Sequence, residues 1–527
     1  MCNPVTGFPD PSRQSARVTR TCQSARGRIS CHRIALRARL KLIHYGILAL
    51  VCALASALDA RAADQFDKIR ALIRNAVDAQ NIPSIAVAVA KDGKIVWEEG
   101  FGWADREGHI PATEHTLYSL SSISKTFTAT GLMALARVGK IDLDKPMNDY
   151  LGDAKLTGRG GSASQATVRM VANHSSGLPL HYQFFYADEP YRVPSMDETI
   201  LHYGILVRPP GEKHVYSNLG YGILGYAISR VTGQSYGDFM REEVFAKLGL
   251  YHTSVDIAPG LEKLAATLYG NNGLPLPHYV SDSEGAAAIY STAHDLVRFG
   301  MFHLKAHLPN QATILIDPQI DEMQKTAVAV TKTTGYGIGW GTADTPSGYR
   351  IVSHLGNASG VSTDLLLVPS EKIAVAVLCN SQENLPHYVA NEILKVLLPK
   401  YDGRTSAFAF PPAPDSLGSL TGTWQGKIHT PKADLPFALR FLESGDVHAR
   451  ISNQLKTLLN FVTFRGGELN GQMLGDLGTE DAGRRPYTIG FDLKLRGKVL
   501  NGSATAVSRP GSRLWSALSY WVELERQ

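Results

Sequence analysis

The sequence predicts a mixed α/β (α+β) domain over residues 63–401, followed by a small all-β barrel or sandwich over residues 416–527. Three observations predict it. Helical and strand periodicities interleave along the first stretch, whereas past Asp415 only an alternation of two remains. Between them, residues 402–415 are rich in Gly, Ala, Ser and Pro and include Pro411-Pro412-Ala413-Pro414, the composition of a linker. At 527 residues the chain has room for two or three domains, each with its own core.

Residues 1–62 read as a leader. Nine arginines and Lys41 stand there against two acids, Asp10 and Asp59, a net charge of +8. The apolar run Leu42–Leu58 follows the basic stretch, and Ala60-Arg61-Ala62 supplies a small-residue cleavage site. The run has 17 residues and includes His44, short for a membrane span of about 20. A cleavable secretory signal is therefore expected, with a periplasmic or secreted mature protein and no membrane span after cleavage. An uncleaved anchor is the alternative. The whole chain carries +5, so the remainder carries −3, which gives no electrostatic footprint for nucleic acid. Four of the five cysteines lie in the leader; Cys379, within an apolar run, is left without an intrachain partner and reads as a buried thiol.

Along residues 63–401, Phe66, Ile69, Leu72, Ile73, Ala76 and Val77 fall at helical spacing. Ile85–Ala90 and Lys94–Gly100 flank Lys91-Asp92-Gly93 as a hairpin. Next comes Tyr118–Phe127, holding Ser122-x-x-Lys125 at the head of an apolar run. On a helix, residues three apart share a face, so the Ser122 hydroxyl and the Lys125 amine can meet in one cleft. A serine hydroxyl needs such a neighbouring base, and a lysine serves only if burial lowers its pKa. Alone, the pattern fits equally a capping serine with a solvated lysine. Downstream, Tyr216-Ser217-Asn218 stands where a turn gives way to a helix, so a phenol and a carboxamide can project together. Further on, His354-Leu355-Gly356-Asn357 precedes two strands, Thr363–Val368 and Ile373–Cys379. Glycine at 356 admits close approach to the strand edge, and the Asn357 N–H can pair with that of Ser122 as an oxyanion hole.

Several look-alikes read as structural. His174, in Asn173–Pro179, orders a loop. Gly233-Gln234-Ser235-Tyr236-Gly237 spells a nucleophile elbow, but it follows a helix instead of a strand. Tyr269-x-Asn271, His202-x-Gly204 and Lys332-Thr333-Thr334-Gly335 repeat motif fragments in the wrong contexts.

Taken in this order and spacing, Ser122-x-x-Lys125, Tyr216-x-Asn218 and His354-x-Gly356 resemble the serine β-lactamase and penicillin-binding-protein superfamily. The resemblance points to its class C-like branch, with family VIII esterases, D-aminopeptidases and D,D-carboxypeptidases. It implies a five-stranded antiparallel sheet flanked by helices plus an all-helical subdomain, the serine lying between them. It also implies roles: Ser122 attacks a carbonyl, Lys125 and Tyr216 move protons, and Asn218, His354, Gly356 and Asn357 hold the substrate. No metal or organic cofactor is implied. The third motif departs from the Lys-Thr-Gly of β-lactamases. Beyond the linker, Leu420-Thr421-Gly422-Thr423-Trp424 resembles the opening strand of the lipocalin-like domains appended to this superfamily, for which a structural or gating role is expected. The expected activity is hydrolysis of a small ester, peptide, amide or β-lactam through an acyl-enzyme. A β-lactamase or D,D-carboxypeptidase remains an alternative, as does a sensor that acylates and stalls.

Overall fold

The computed structural model describes residues 65–79, 82–403, 414–511 and 513–527. The expected leader and most of the expected linker lie outside the described residues. Ala62–Gln527 form one compact unit. No helix among the described residues is long and apolar enough to cross a membrane.

Helix α1 (Asp67–Asp78) buries Ile69 and Ile73, with Phe66 at its head, as their spacing requires. Strands β1 (Ser84–Lys91) and β2 (Lys94–Asp105) pair with Lys91 opposite Lys94, so Asp92-Gly93 is a two-residue loop. Both loop residues have positive φ, 51° and 75°, the conformation whose twist matches a hairpin. Helix α2 (Ser124–Arg137) is buried on nearly every side. Helix α3 (Asn218–Thr232) starts where the Ser217 hydroxyl accepts from Gly220 N–H and stops at Gly233, which takes the left-handed conformation. Helix α4 (Ala293–His303) precedes β3 (Arg350–Ala358), β4 (Val361–Val368), β5 (Ile373–Cys379) and helix α5 (Leu385–Leu397).

The five long strands form an antiparallel sheet in the order β3-β4-β5-β1-β2, extended at both edges by shorter strands to nine. The extensions are too short for a five-strand expectation to have captured. Each strand feeds two cores. Ile85, Val87 and Val89 join Val375 and Val377 against α1 and α5, while Ala86, Ala88 and Ala90 join Ala374 and Ala376 on the opposite face. The side-chain period of two sorts branched residues to one face and alanines to the other. Alanines let α4 come close. A Cβ at Gly300 would stand 3.0 Å from Ala374 Cβ.

From Gly422 onward the chain is an antiparallel sheet whose first and last strands in spatial order, Thr457–Leu458 and Asn460–Arg465, are neighbours in sequence. It thus nearly closes into a barrel. Its interior is filled by side chains, including Trp424, Phe441 and the stacked pair Phe437 and Phe491, 4.9 Å apart.

The barrel is fastened to the catalytic region. Its final strand, Ser516–Arg526, pairs with the short strand Tyr182–Tyr186 through Ser516↔Gln183 and Ala517↔Tyr182. Arg208, 2% exposed, donates to Asp492 at 2.5 Å and to Glu468 at 3.3 Å. A buried guanidinium stripped of a partner is far costlier than an exposed one. Asp492→Asn is therefore expected to lower stability by about 1–3 kcal/mol. Arg208→Met, which removes the charge itself, is expected to cost less than Asp492→Asn. Denaturant melts of the two variants check the order, and equal losses would mean that Arg208 is well solvated.

Candidate active site

Ser122 lies in a single 3₁₀ turn, Ser121–Ile123, that runs into α2. Its neighbour Ser121 has φ 46°, a conformation that costs a non-glycine residue on the order of 1 kcal/mol. What holds Ser121 there is its hydroxyl, which donates to the Asn357 carbonyl at 3.0 Å and so ties the Ser122 turn to the edge of β3.

The Lys125 side chain is fully buried one turn on. Its Nζ stands 3.1 Å from Ser122 Oγ, 2.7 Å from Asn218 Oδ1 and 2.9 Å from the Ala286 carbonyl. Among the described residues no carboxylate pairs with it, and burial holds the amine well below the usual lysine range. A neutral amine has two N–H groups and one lone pair. Here two neighbours, Asn218 Oδ1 and Ala286 O, can only accept, and the third, the Ser122 hydroxyl, can donate. The surroundings match the neutral form group for group.

Tyr216 lies above this amine, its ring centroid 4.9 Å from Nζ. Burial raises its pKa, against which a bond to Ser122 acts. The phenol therefore stays protonated, and Lys125 is the better base. His174 packs its ring against Tyr216, centroids 4.4 Å apart and tilted, and accepts from Ser217 N–H through Nδ1 at 3.2 Å. It orders the turn that presents Tyr216 and Asn218. Burial and the nearby Lys125 keep its ring uncharged.

Beyond Ser353 the strand that pairs with the outer edge of β3 ends, so residues 354–358 have an edge open toward Ser122. Within a strand, the N–H and C=O of one residue leave toward the same edge. With the Asn357 carbonyl aimed at Ser121, its N–H points to that edge as well. Gly356 has a different reason from the one the sequence suggested. A Cβ there would fall 2.1 Å from the Leu120 carbonyl, so glycine admits the segment that leads into Ser122 and not only a ligand. His354 also differs. It is 7% exposed; its Nδ1 lies 2.8 Å from the Leu355 carbonyl and its Nε2 2.9 Å from the Tyr336 hydroxyl. That network assigns Nδ1–H as donor to Leu355 and Nε2 as acceptor from Tyr336. Burial, and then Lys125, push the imidazole down to about 3. His354 is thus neutral, and both its nitrogens are occupied by the protein. The expected donation to substrate would have to come from another group.

These residues open on a cavity of about 540 Å³. Ser122, Tyr216, Asn218, His354 and Asn357 all line it; Lys125 and Gly356 stand behind its wall. Three contributors were not legible in the sequence. Tyr336 ends the short edge strand Thr334–Tyr336, and nothing in the glycine-rich stretch around it ties it to His354. The Ala286 carbonyl is a backbone group, which no motif advertises. Leu514 comes from the barrel, placed there because its carbonyl accepts from Tyr186 and its N–H donates to Ser359. Ser235, Lys332 and Tyr269 lie elsewhere, unlike His174. Ser235 is exposed and caps a short helix, accepting from Asp238 N–H. Lys332 is exposed beside a hairpin, and Tyr269 spends its hydroxyl on Glu107. Cys379 is buried, its thiol pushed up to about 11 by burial. Among the described residues no group of three or more His, Cys, Asp or Glu could hold a metal ion.

The family model for beta-lactamase matches residues 69–398. A penicillin-binding protein of Bacillus subtilis (strain 168) is 26% identical over 323 residues, 56% of this chain and 68% of that protein. The chain spans 64% to 68% of the length of curated relatives it matches. Two solved structures share the fold. An octameric penicillin-binding protein homologue from Pyrococcus abyssi superposes at a TM-score of 0.57 with 22% identity, covering 87% of this chain and 99% of that one. A class C beta-lactamase gives 0.55 and 22%, covering 64% and 97%. The first thus extends over the barrel region. With a serine, a buried amine, a phenol and an open strand edge converging on one cavity, and a family match across most of the α/β region, the chain belongs to the beta-lactamase family of serine hydrolases.

Proposed function

We propose that this protein is an exported serine hydrolase that forms an acyl-enzyme at Ser122 and acts by preference on esters, or on peptides and amides lacking a carboxylate close to the scissile bond. The observation that carries the mechanism is the buried Lys125 amine with two obligate acceptors and one hydroxyl around it. Its lone pair takes the Ser122 proton as Oγ attacks the carbonyl carbon. The N–H groups of Ser122 and Asn357 receive the developing oxyanion. Tyr216, a neutral phenol between serine and leaving group, passes the proton on as the bond breaks. Water then takes the place of the leaving group and releases the acid. Asn218, whose Oδ1 is engaged by Lys125, keeps its amide N–H₂ for the substrate. Export rests on the basic leader with its Ala60-Arg61-Ala62 site.

The substrate preference rests on His354. Where related enzymes bring a lysine charge to a substrate carboxylate, this site brings a neutral ring already bound to Tyr336 and Leu355. Much of the attraction for the carboxylate of a penicillin is then missing. A short ester is expected to surpass a penicillin in kcat/KM at pH 7–8 by a wide margin, and His354→Lys to move the ratio toward the penicillin. The two substrates assayed side by side decide it. A wild-type preference for the penicillin would make β-lactamase the better name.

A further inference from the structure

A second chamber of about 460 Å³ lies next to the catalytic cavity, a volume within the range of small-molecule sites. The two share Phe184, Ser281 and Ala287 as a common wall. The partition is thin. Ala286 holds Lys125 through its carbonyl, Ala287 lines both cavities, and Ala288 lines the chamber alone. Apart from a serine hydroxymethyl and a methyl, the barrier is the ring of Phe184, half-buried on the strand that also pairs with the barrel. Tyr226, Tyr236, Tyr279 and Tyr290 line the far walls. No Lys, Arg or His side chain lines the chamber, whereas Asp256, Glu284 and Asp282 do, the last bound to His181 at 2.7 Å. Asp256 lies 3.2 Å from His278. Glu284 is exposed, and its carboxylate has no hydrogen-bonding or ionic partner among the described residues.

Resting on the acyl-enzyme reading, we propose that this chamber is a subsite for the acyl portion of the substrate, receiving a bulky aromatic group that carries no negative charge. Aromatic walls favour such a group by burial and by edge or face contact. The unpartnered Glu284 carboxylate repels an anionic one, and accepts a cationic one over the rings. An acyl chain of two or three carbons past the carbonyl would carry the ring from Ser122 past Ala287 as Phe184 turns aside.

The test uses the p-nitrophenyl esters of propionate, 3-phenylpropionate and 3-(4-carboxyphenyl)propionate, so that the leaving group is constant. The phenyl ester is expected to exceed propionate in kcat/KM by about 10-fold or more, and the carboxyphenyl ester to fall about 10-fold below the phenyl one. Ala288→Phe and Val193→Trp, which fill the chamber, should each bring the phenyl-to-propionate ratio toward one while propionate turnover persists. Glu284→Gln should narrow the gap between phenyl and carboxyphenyl esters. A ratio near one in the wild type, or one that neither filling variant moves, overturns the subsite. If both filling variants fail to fold, an unchanged carboxyphenyl penalty in Glu284→Gln overturns it instead. Failure of the underlying reading looks different, since propionate hydrolysis would then survive Ser122→Ala.

Discussion

Ser122→Ala is expected to abolish covalent labelling by a fluorophosphonate or penicillin probe and to lower ester turnover by roughly 10⁴-fold or more, because of the serines lining the cavity Ser122 is the one bonded to the Lys125 amine. Ser235→Ala should label like the wild type. Ser235 is exposed and accepts from Asp238 N–H, so its loss removes a helix cap worth about 1 kcal/mol and nothing chemical. Intact-mass spectrometry after incubation with the probe reads both outcomes. An adduct of normal stoichiometry on the Ser122 variant would sink the acyl-enzyme reading.

The second large effect concerns the proton. Lys125→Ala and Tyr216→Phe should each cost about 10²–10⁴ in kcat/KM, and the double variant little more than the worse single one, as befits one relay. Losses that multiply in full would mean independent roles. The same geometry sets the pH dependence. Burial lowers the Lys125 amine, so its neutral form is reached well below the pH of about 10.4 at which an ordinary lysine loses its proton. The rate should accordingly rise with pH and level off far short of that value. His354, pushed down to about 3, does not titrate between pH 5 and 8, and the profile of a His354→Asn variant should keep the shape of the wild type there. A rate still climbing steeply at pH 10 would show Lys125 to be charged in the resting enzyme.

Legibility in the sequence followed the range of the interaction. The β1–β2 hairpin, α1 and the cap and stop of α3 are set by neighbours a few residues apart, and their residues state them directly. Ser122 and Lys125 share one helical turn, and Tyr216 and Asn218 share one junction, so each pair could be read locally. Their convergence was supplied by the resemblance of three motifs and not by spacing. What stayed hidden is contact between distant segments. The bond from Tyr336 to His354 reverses the role expected of that histidine, yet a histidine two residues before a glycine reads alike with or without it. Likewise Gly356 looked like an opening for a ligand, because the Leu120 carbonyl it admits lies far away in sequence. The four short strands at the sheet edges carry too few residues to establish a period. Leu514 reaches the cavity through its bonds to Tyr186 and Ser359, next to the pairing of the barrel's last strand with Tyr182–Tyr186, a registry that no alternation pattern announces.

The contact between Gly356 and the Leu120 carbonyl also bears on how this enzyme could change its specificity. Position 356 is fixed by assembly of the nucleophile's turn against the sheet, whatever substrate is hydrolysed. Any side chain there would displace Leu120 and, two residues on, Ser122 itself. Position 354 is held by two internal hydrogen bonds. Leu355, between them, lines the catalytic cavity and is 49% exposed. Of the three residues in this motif, only Leu355 can vary without disturbing the framework, so selection for a new substrate, natural or in the laboratory, should accumulate its changes there and leave the glycine untouched.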